Sequence, residues 1–415
     1  MPSRSARPPY RITAASLVVL SALLAWGGVF GAAAGPAVIE EIVLPDHISA
    51  PFSIAVDAKG KVWFAEKVGR TLNVYDPEAE RFASHPLPVD WGKVGPARIA
   101  FAPDGRVWFS VRRWAEDLAD TDFLGTFDPA AGKFAQHRLE VPPNAASGAG
   151  DRASVQPEDM VVDRHGIIWF LAPDDNKVYR FDAAAGQLRG FPIPTPHSYP
   201  RGIAIDQKGV IWFVEANVDQ IAKFVPDAGA FGEYPIPTKF SSPAKTAVDG
   251  QGRIWFVEMS VNRLGVFYPD LERFDEALVP TPNSLPNAVA VDDDDKVWFL
   301  EYRGNKIGMF DPLKARFREF TIPTYSSEPG DMAIDHARGR LWFSEANTEV
   351  RRLGTLSLAA ALAAPRSNIA QAAPAPEGAG LAFPPNLALF GGLAGLLIVV
   401  AAGGFLFLTR GKSAE

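Results

Sequence analysis

Residues 200–238 read PRGIAIDQKGVIWFVEANVDQIAKFVPDAGAFGEYPIPT, and four short strands can be parsed from them. Residues 201–206 are apolar and end in Asp206, after which Gln207-Lys208-Gly209 makes a tight turn. A second strand is predicted over 210–215 and a third over 219–225. Pro226-Asp227-Ala228-Gly229 then turns the chain into a fourth, over 230–236. Each is close to the usual strand length of about 5–6 residues.

The unit recurs. Trp-Phe occurs at 63–64, 108–109, 169–170, 212–213, 255–256, 298–299 and 342–343, with spacings of 45, 61, 43, 43, 43 and 44. Four strands at a period of about 43 residues describe a propeller blade. A lone four-stranded sheet cannot bury both faces, whereas stacked sheets can. Trp and Phe, pointing to opposite faces of the second strand, supply the packing on each side. The fold expected is all-β, a seven-bladed β-propeller over residues 38–358. The last blade lacks an outer strand, and IEEIVLP at 39–45 resembles FREFTIP at 317–323. The N-terminal segment is therefore expected to complete blade seven and remove two exposed sheet edges.

Composition narrows the chemistry. The 415 residues carry a net charge of −7 and no cysteine, which speaks against a nucleic-acid partner and excludes disulfides, thiolate metal sites and cysteine nucleophiles. Six histidines leave little room for a histidine-rich metal centre.

The two ends read as membrane signals. Arg4, Arg7 and Arg11 precede an apolar run over 12–34, so residues 1–35 are expected to be a signal peptide or an N-terminal anchor. Residues 359–386 read as an Ala/Pro-rich linker. Residues 387–408 contain no charge and are long enough for a transmembrane helix. Arg410 and Lys412 in the 409–415 tail favour a cytoplasmic C-terminus, which puts the propeller on the periplasmic or extracellular side of a plasma membrane. Gly391 and Gly395 form a GxxxG within the span, either a helix contact or part of a generic small-residue stretch.

The repeat P-x-G-I-A-x-D…G-x-[IV]-W-F-x-E…N-x-[IL]-G resembles that of the streptogramin lyase (virginiamycin B lyase) family of seven-bladed propellers. The resemblance implies an elimination that opens a cyclic depsipeptide, with a histidine base and a magnesium ion. It also implies Glu-Pro-His before one late blade, a glutamate after that blade's Trp-Phe, and a second histidine in the preceding blade. Here Glu328-Pro329-Gly330 and Glu345 match the carboxylates, while Gly330 and Asn287 stand at the two histidine positions. Neither residue can act as a base, and His47 and His197 are the only histidines expected on the same face.

Two readings attach to the glutamates that follow Trp-Phe, Glu66, Glu215, Glu258, Glu301 and Glu345. They are either part of each blade's own structure or a ring of carboxylates that attracts cations. On the second reading Glu328, Glu345 and Glu301 are candidate ligands for weakly held Mg2+ or Ca2+. Symmetry breaks elsewhere, in an expanded loop at 112–122 and in extra residues around 140–156, in the two blades that lack the glutamate. With the positions that begin the first strands, these give Arg98, Trp114, Glu158, Asp159, Arg201, Lys245 and Asp331 as candidate ligand-binding residues. They suit a small polar ligand bearing both charge signs.

The function expected is a membrane-anchored binding module for such a ligand or for an envelope protein, and not an enzyme. Its alternatives are a magnesium-dependent carbon–oxygen lyase or lactone hydrolase acting at the channel mouth, and an envelope scaffold.

Overall fold

The computed structural model describes residues 38–113, 123–140 and 155–364. Within them, twenty-eight strands form seven four-stranded antiparallel sheets. The first strands of successive sheets lie side by side around a central channel, with blade seven returning to blade one. This is the seven-bladed propeller the repeat predicts. In blade four the strands run Pro200–Ile205, Ile211–Glu215, Gln220–Val225 and Ala230–Pro235, each within a residue of expectation at either end.

Closure also follows the sequence. Ile39–Val43 is the outer strand of blade seven and pairs antiparallel with Arg352–Ser357, Ile39 opposite Leu356 and Val43 opposite Arg352. The chain thus enters and leaves the ring at adjacent positions. Both lie on the face opposite the loops that lead into the first strands.

Trp and Phe divide the packing as their alternation requires. The tryptophan of one blade reaches the third-strand aromatic of the next, in Trp63–Phe127, Trp169–Phe224, Trp212–Phe267 and Trp255–Phe310. Trp342 meets Tyr75 across the closing seam. Each phenylalanine turns to the other face and lies over the third strand of its own blade. A Cβ at Gly265 would fall within the ring of Phe256, so only glycine allows that approach.

The aspartate that ends the first strand fastens the turn. Asp206 Oδ1 accepts from the amides of Lys208 and Val210, while Oδ2 accepts from Trp212 Nε1 at 3.0 Å. The same indole bond recurs at Asp57, Asp163, Asp249 and Asp292. In blade seven the turn is one residue longer, Asp335 binds Arg338, and the buried Trp342 Nε1 has no partner among the described residues.

One expectation needs correction. Residues 359–363 are not linker but belong to a short helix, Leu358–Ala363, packed on the ring. Alanine favours helix, Ser357 caps the first turn, and Ala361 is buried beside Ile39 and Leu356. Arg318 holds the far end by donating to the carbonyls of Ala361, Leu362 and Ala364 at 2.6–2.8 Å. The expected leader, transmembrane span, GxxxG and tail lie outside the described residues, as do Trp114 and most of both expanded loops. No helix among the described residues is long and apolar enough to cross a membrane.

Candidate ligand site at the channel mouth

The loops leading into the first strands are built to a common plan. Ser198, Ser241, Ser284 and Ser327 each donate an amide and a hydroxyl to the side-chain oxygen of Asn176, Asp219, Asn262 and Asn305, at 2.8–3.0 Å. The residue after each serine, Tyr199, Ser242, Leu285 or Glu328, has positive φ. That backbone is uncommon for a non-glycine residue. The repeated serine bonds hold it, and so a variable residue is displayed on a fixed loop.

Inside this rim the first strands bring charges from four blades together. Arg98 Nε lies 3.2 Å from Asp159 Oδ1, its guanidinium lies 3.5 Å from Asp331 Oδ2, and Lys245 Nζ is 2.7 Å from Asp159 Oδ1. The Gly202 amide adds a 3.0 Å bond to Asp159. The side chains of Arg98, Asp159 and Asp331 are only 14, 7 and 13% exposed. Burial alone would raise the Asp159 carboxyl. The charges of Lys245 and Arg98 outweigh it and hold the group far below the usual carboxylate range.

Arg98 and Arg112 both lie over the ring of Phe52, at 4.8 and 4.4 Å from its centroid. Burial, reinforced by the Arg98 charge, pushes the Arg112 guanidinium down to about 10. Arg112 also donates to the Lys67 carbonyl at 2.8 Å, and Lys67 Nζ lies 3.8 Å from Glu328. Burial and then the hydrogen bond and charge of Glu328 push the Tyr302 hydroxyl up to about 12. Arg201 lies 3.4 Å from Glu158 and over Tyr199.

Of the ligand-binding residues expected, Arg98, Asp159, Lys245 and Asp331 converge in one network, while Arg201 and Glu158 form a pair on the rim. Phe52, Lys67 and Tyr302 were not among them. Their signal was positional, because Lys67 and Tyr302 follow the repeated glutamate, where the other blades place Ala216, Met259 and Ala346.

The three expected metal ligands do not meet. Glu301 and Glu345 are fully buried in separate blades, each beside the fourth-strand glutamate of its own sheet. Glu328 lies on the rim with Lys67 and Tyr302. Among the described residues no three carboxylate or imidazole groups are placed to share an ion. Asn287 and Gly330, where the resemblance implies histidines, both make close contacts between or within blades. Asn287 Nδ2 donates to the carbonyls of Pro329 and Gly330 at 3.0 and 3.2 Å, bridging blades six and seven. A Cβ at Gly330 would lie 3.1 Å from Ala346 Cβ and 3.2 Å from Ser344 Oγ. His47 and His197 are exposed on the rim, His47 3.4 Å from Ser84 Oγ.

A family model described as the virginiamycin B lyase family matches residues 137–356. The chain belongs to the virginiamycin B lyase family. Its propeller is similar to that of virginiamycin B lyase from Staphylococcus aureus, at 25% identity and a TM-score of 0.65 over 77% of this chain and 99% of that one. A streptogramin B lyase structure is similar at 24% identity and a TM-score of 0.64, with 77% and 96% covered. A catalytically inactive histidine variant of the S. aureus lyase, solved with quinupristin, is similar at 24% identity and a TM-score of 0.65, with 77% and 99% covered. No curated protein matches the chain in sequence. Membership in the virginiamycin B lyase family gives the fold, and a fold by itself does not fix function.

Proposed function

We propose that this member of the virginiamycin B lyase family is a membrane-tethered, extracytoplasmic binding module whose ligand sits at the channel mouth. The observation that carries the reading is the state of Gly330 and Asn287. The resemblance places the family's histidines there, but here one position has no side chain and the other spends its amide on two carbonyls. Among the described residues the two histidines on this face, His47 and His197, are on the outer rim rather than at these positions. What the mouth offers is recognition chemistry, with Phe52 beneath two guanidiniums, and Glu158, Glu328, Lys67 and Tyr302 around it. A polar ligand carrying both charge signs fits such a lining better than a largely apolar macrocycle does. Tethering agrees with the geometry of the ring. Both ends of the propeller lie side by side on the face away from the mouth, where an anchor at either end would attach.

The rival reading is a lyase or lactone hydrolase, and family membership favours it. The deciding assay is linearisation of quinupristin by the detergent-solubilised full chain with magnesium present, run beside a thermal-shift screen of zwitterionic, anionic and lactone compounds. Binding without turnover is expected, with the shift lost in Arg112→Ala. Turnover above the buffer rate, abolished by Glu328→Gln, would overturn the binding-module reading.

A further inference from the structure

Four blades contain buried acid pairs that the mouth does not use. Glu215, Glu258, Glu301 and Glu345 close the second strands of blades four to seven with no exposed surface, and their oxygens receive no well-formed hydrogen bond. Each faces a glutamate on the fourth strand of its own sheet, Glu233, Glu276, Glu319 and Glu41 respectively. On the third strand the residue opposite each fourth-strand glutamate is small, Ala222, Gly265, Gly308 or Gly354, and over the three glycines lies the ring of the second-strand phenylalanine.

The rest of the sheet discriminates between the two members. The fourth-strand glutamates accept from the amides of Thr195, Thr238, Thr281 and Thr324 at 2.8–3.1 Å. Three of them also meet a cation, Arg263 at 3.4 Å, Lys306 at 2.9 Å and Arg352 at 2.9 Å. These contacts favour a charged carboxylate on the fourth strand. The second-strand member gains little of that, and a buried charge without donors is costly. The negative charge of the fourth-strand glutamate further disfavours ionisation of its second-strand partner.

Substitution within the chain supports the pairing. Blade one keeps Glu66, but Ser84 replaces the fourth-strand glutamate and Asn73 the small residue. Asn73 Nδ2 and Ser49 Oγ then donate to Glu66, each at 2.9 Å. Blades two and three have Val111 and Ala172 on the second strand, and the fourth-strand positions hold Gln136 and Gly190. The two glutamates are present together or absent together, except where donors arrive to replace one.

We propose that each of the four pairs holds one proton in common, on the second-strand glutamate, and that this proton latches the mouth loops of blades four to seven to their sheets. The threonine that caps each fourth-strand glutamate lies in the loop carrying Tyr199, Ser242, Leu285 or Glu328. Charging the second carboxyl sets two anions against each other at the base of that loop.

The groups facing each acid agree with this. Burial first, and then Glu233, push Glu215 up to about 8. Burial and then Glu319 do the same for Glu301, against Lys306, Ser284 and Thr281, and burial and Glu41 for Glu345, against Arg352. Burial, Glu276 and Asp219 raise Glu258 well above the ordinary range, against Arg263 and Ser241. A carboxyl raised in the fold stabilises it fully below its unfolded value near 4.5, and loses that contribution as pH climbs through about 8.

The test compares the full chain with a variant carrying Glu215→Gln, Glu258→Gln, Glu301→Gln and Glu345→Gln, in which an amide replaces each neutral acid. Between pH 6 and pH 9 the wild-type Tm should fall by roughly 5 °C more than that of the variant. Parallel decline of the two would overturn the proposal. Should the variant fail to fold, difference infrared on the wild type decides independently. A protonated-carboxyl C=O band should persist above pH 6 and disappear between pH 7 and 9. Its absence at pH 6 rules out the shared protons.

Discussion

Blades four to seven and blades one to three are made from one unit, yet they spend it differently. The first group is near-periodic, with spacings of 43, 43 and 44 between its tryptophans, and repeats the carboxyl pair in every sheet. The second group has spacings of 45 and 61 and solves the same buried position in three ways. It also supplies Phe52, Arg98, Arg112 and Asp159, the centre of the charge network. A residue repeated in every blade of a group answers to the sheet it sits in. Residues that meet a ligand are better sought where the repeat fails.

The comparison can be broken first at the seam where the two groups join. Deleting residues 38–45 removes the strand that closes blade seven and with it Glu41, so the ring should lose cooperative unfolding. Truncation after Ala364 should leave Tm within about 2 °C of the full chain, because every described contact of the ring is made by residues before that point. Equal loss in the two truncations, measured by thermal denaturation, would refute closure by the N-terminal strand. Phe256→Ala within the regular group should cost about 3–5 kcal/mol, the usual figure for a buried phenylalanine, read from denaturant midpoints.

Smaller effects sharpen the contrast. Arg98→Ala leaves Asp331 with the Met332 and Ile54 amides as its remaining partners, and Asp159 with Lys245 and Gly202. A loss of roughly 2–3 kcal/mol is expected, short of the full cost of breaking a buried pair because partners remain. Asn73→Ala in blade one should cost about 1–2 kcal/mol by removing a donor from the buried Glu66. The double change Asn73→Gly with Ser84→Glu carries the acid pair into blade one. Its stability should then fall more steeply than wild type as pH rises from 6 to 9, and an unchanged slope would mean that the pair needs more than these two positions.

Much of the fold was legible because its determinants are local. Trp212-Phe213 between two turn signals defines a strand, its period defines the blade, and the likeness of 39–45 to 317–323 marks the closing segment. The short helix after Ser357 was not legible, since its alanines read equally well as linker until the Arg318 clamp and the pocket for Ala361 are in place. At the mouth, Arg98, Asp159, Lys245 and Asp331 stood out as breaks in the repeat. That Glu301 and Glu345 lie fully buried in separate blades was not legible, because their spacing carries no sign of which face they point to or what waits there.

The sequence by itself determined the blade, the number of blades and the segment that completes the ring: strand period and turn chemistry within about forty residues define the unit, its recurrence gives the count, and the likeness of 39–45 to 317–323 marks the closing strand. Tertiary structure alone decided the partners. Glu345 meets Glu41 from the opposite end of the chain, and Arg98 reaches Asp159 and Asp331 across the channel. Those encounters depend on closure of the ring, which brings positions distant in sequence to within a few ångströms and which no local pattern encodes.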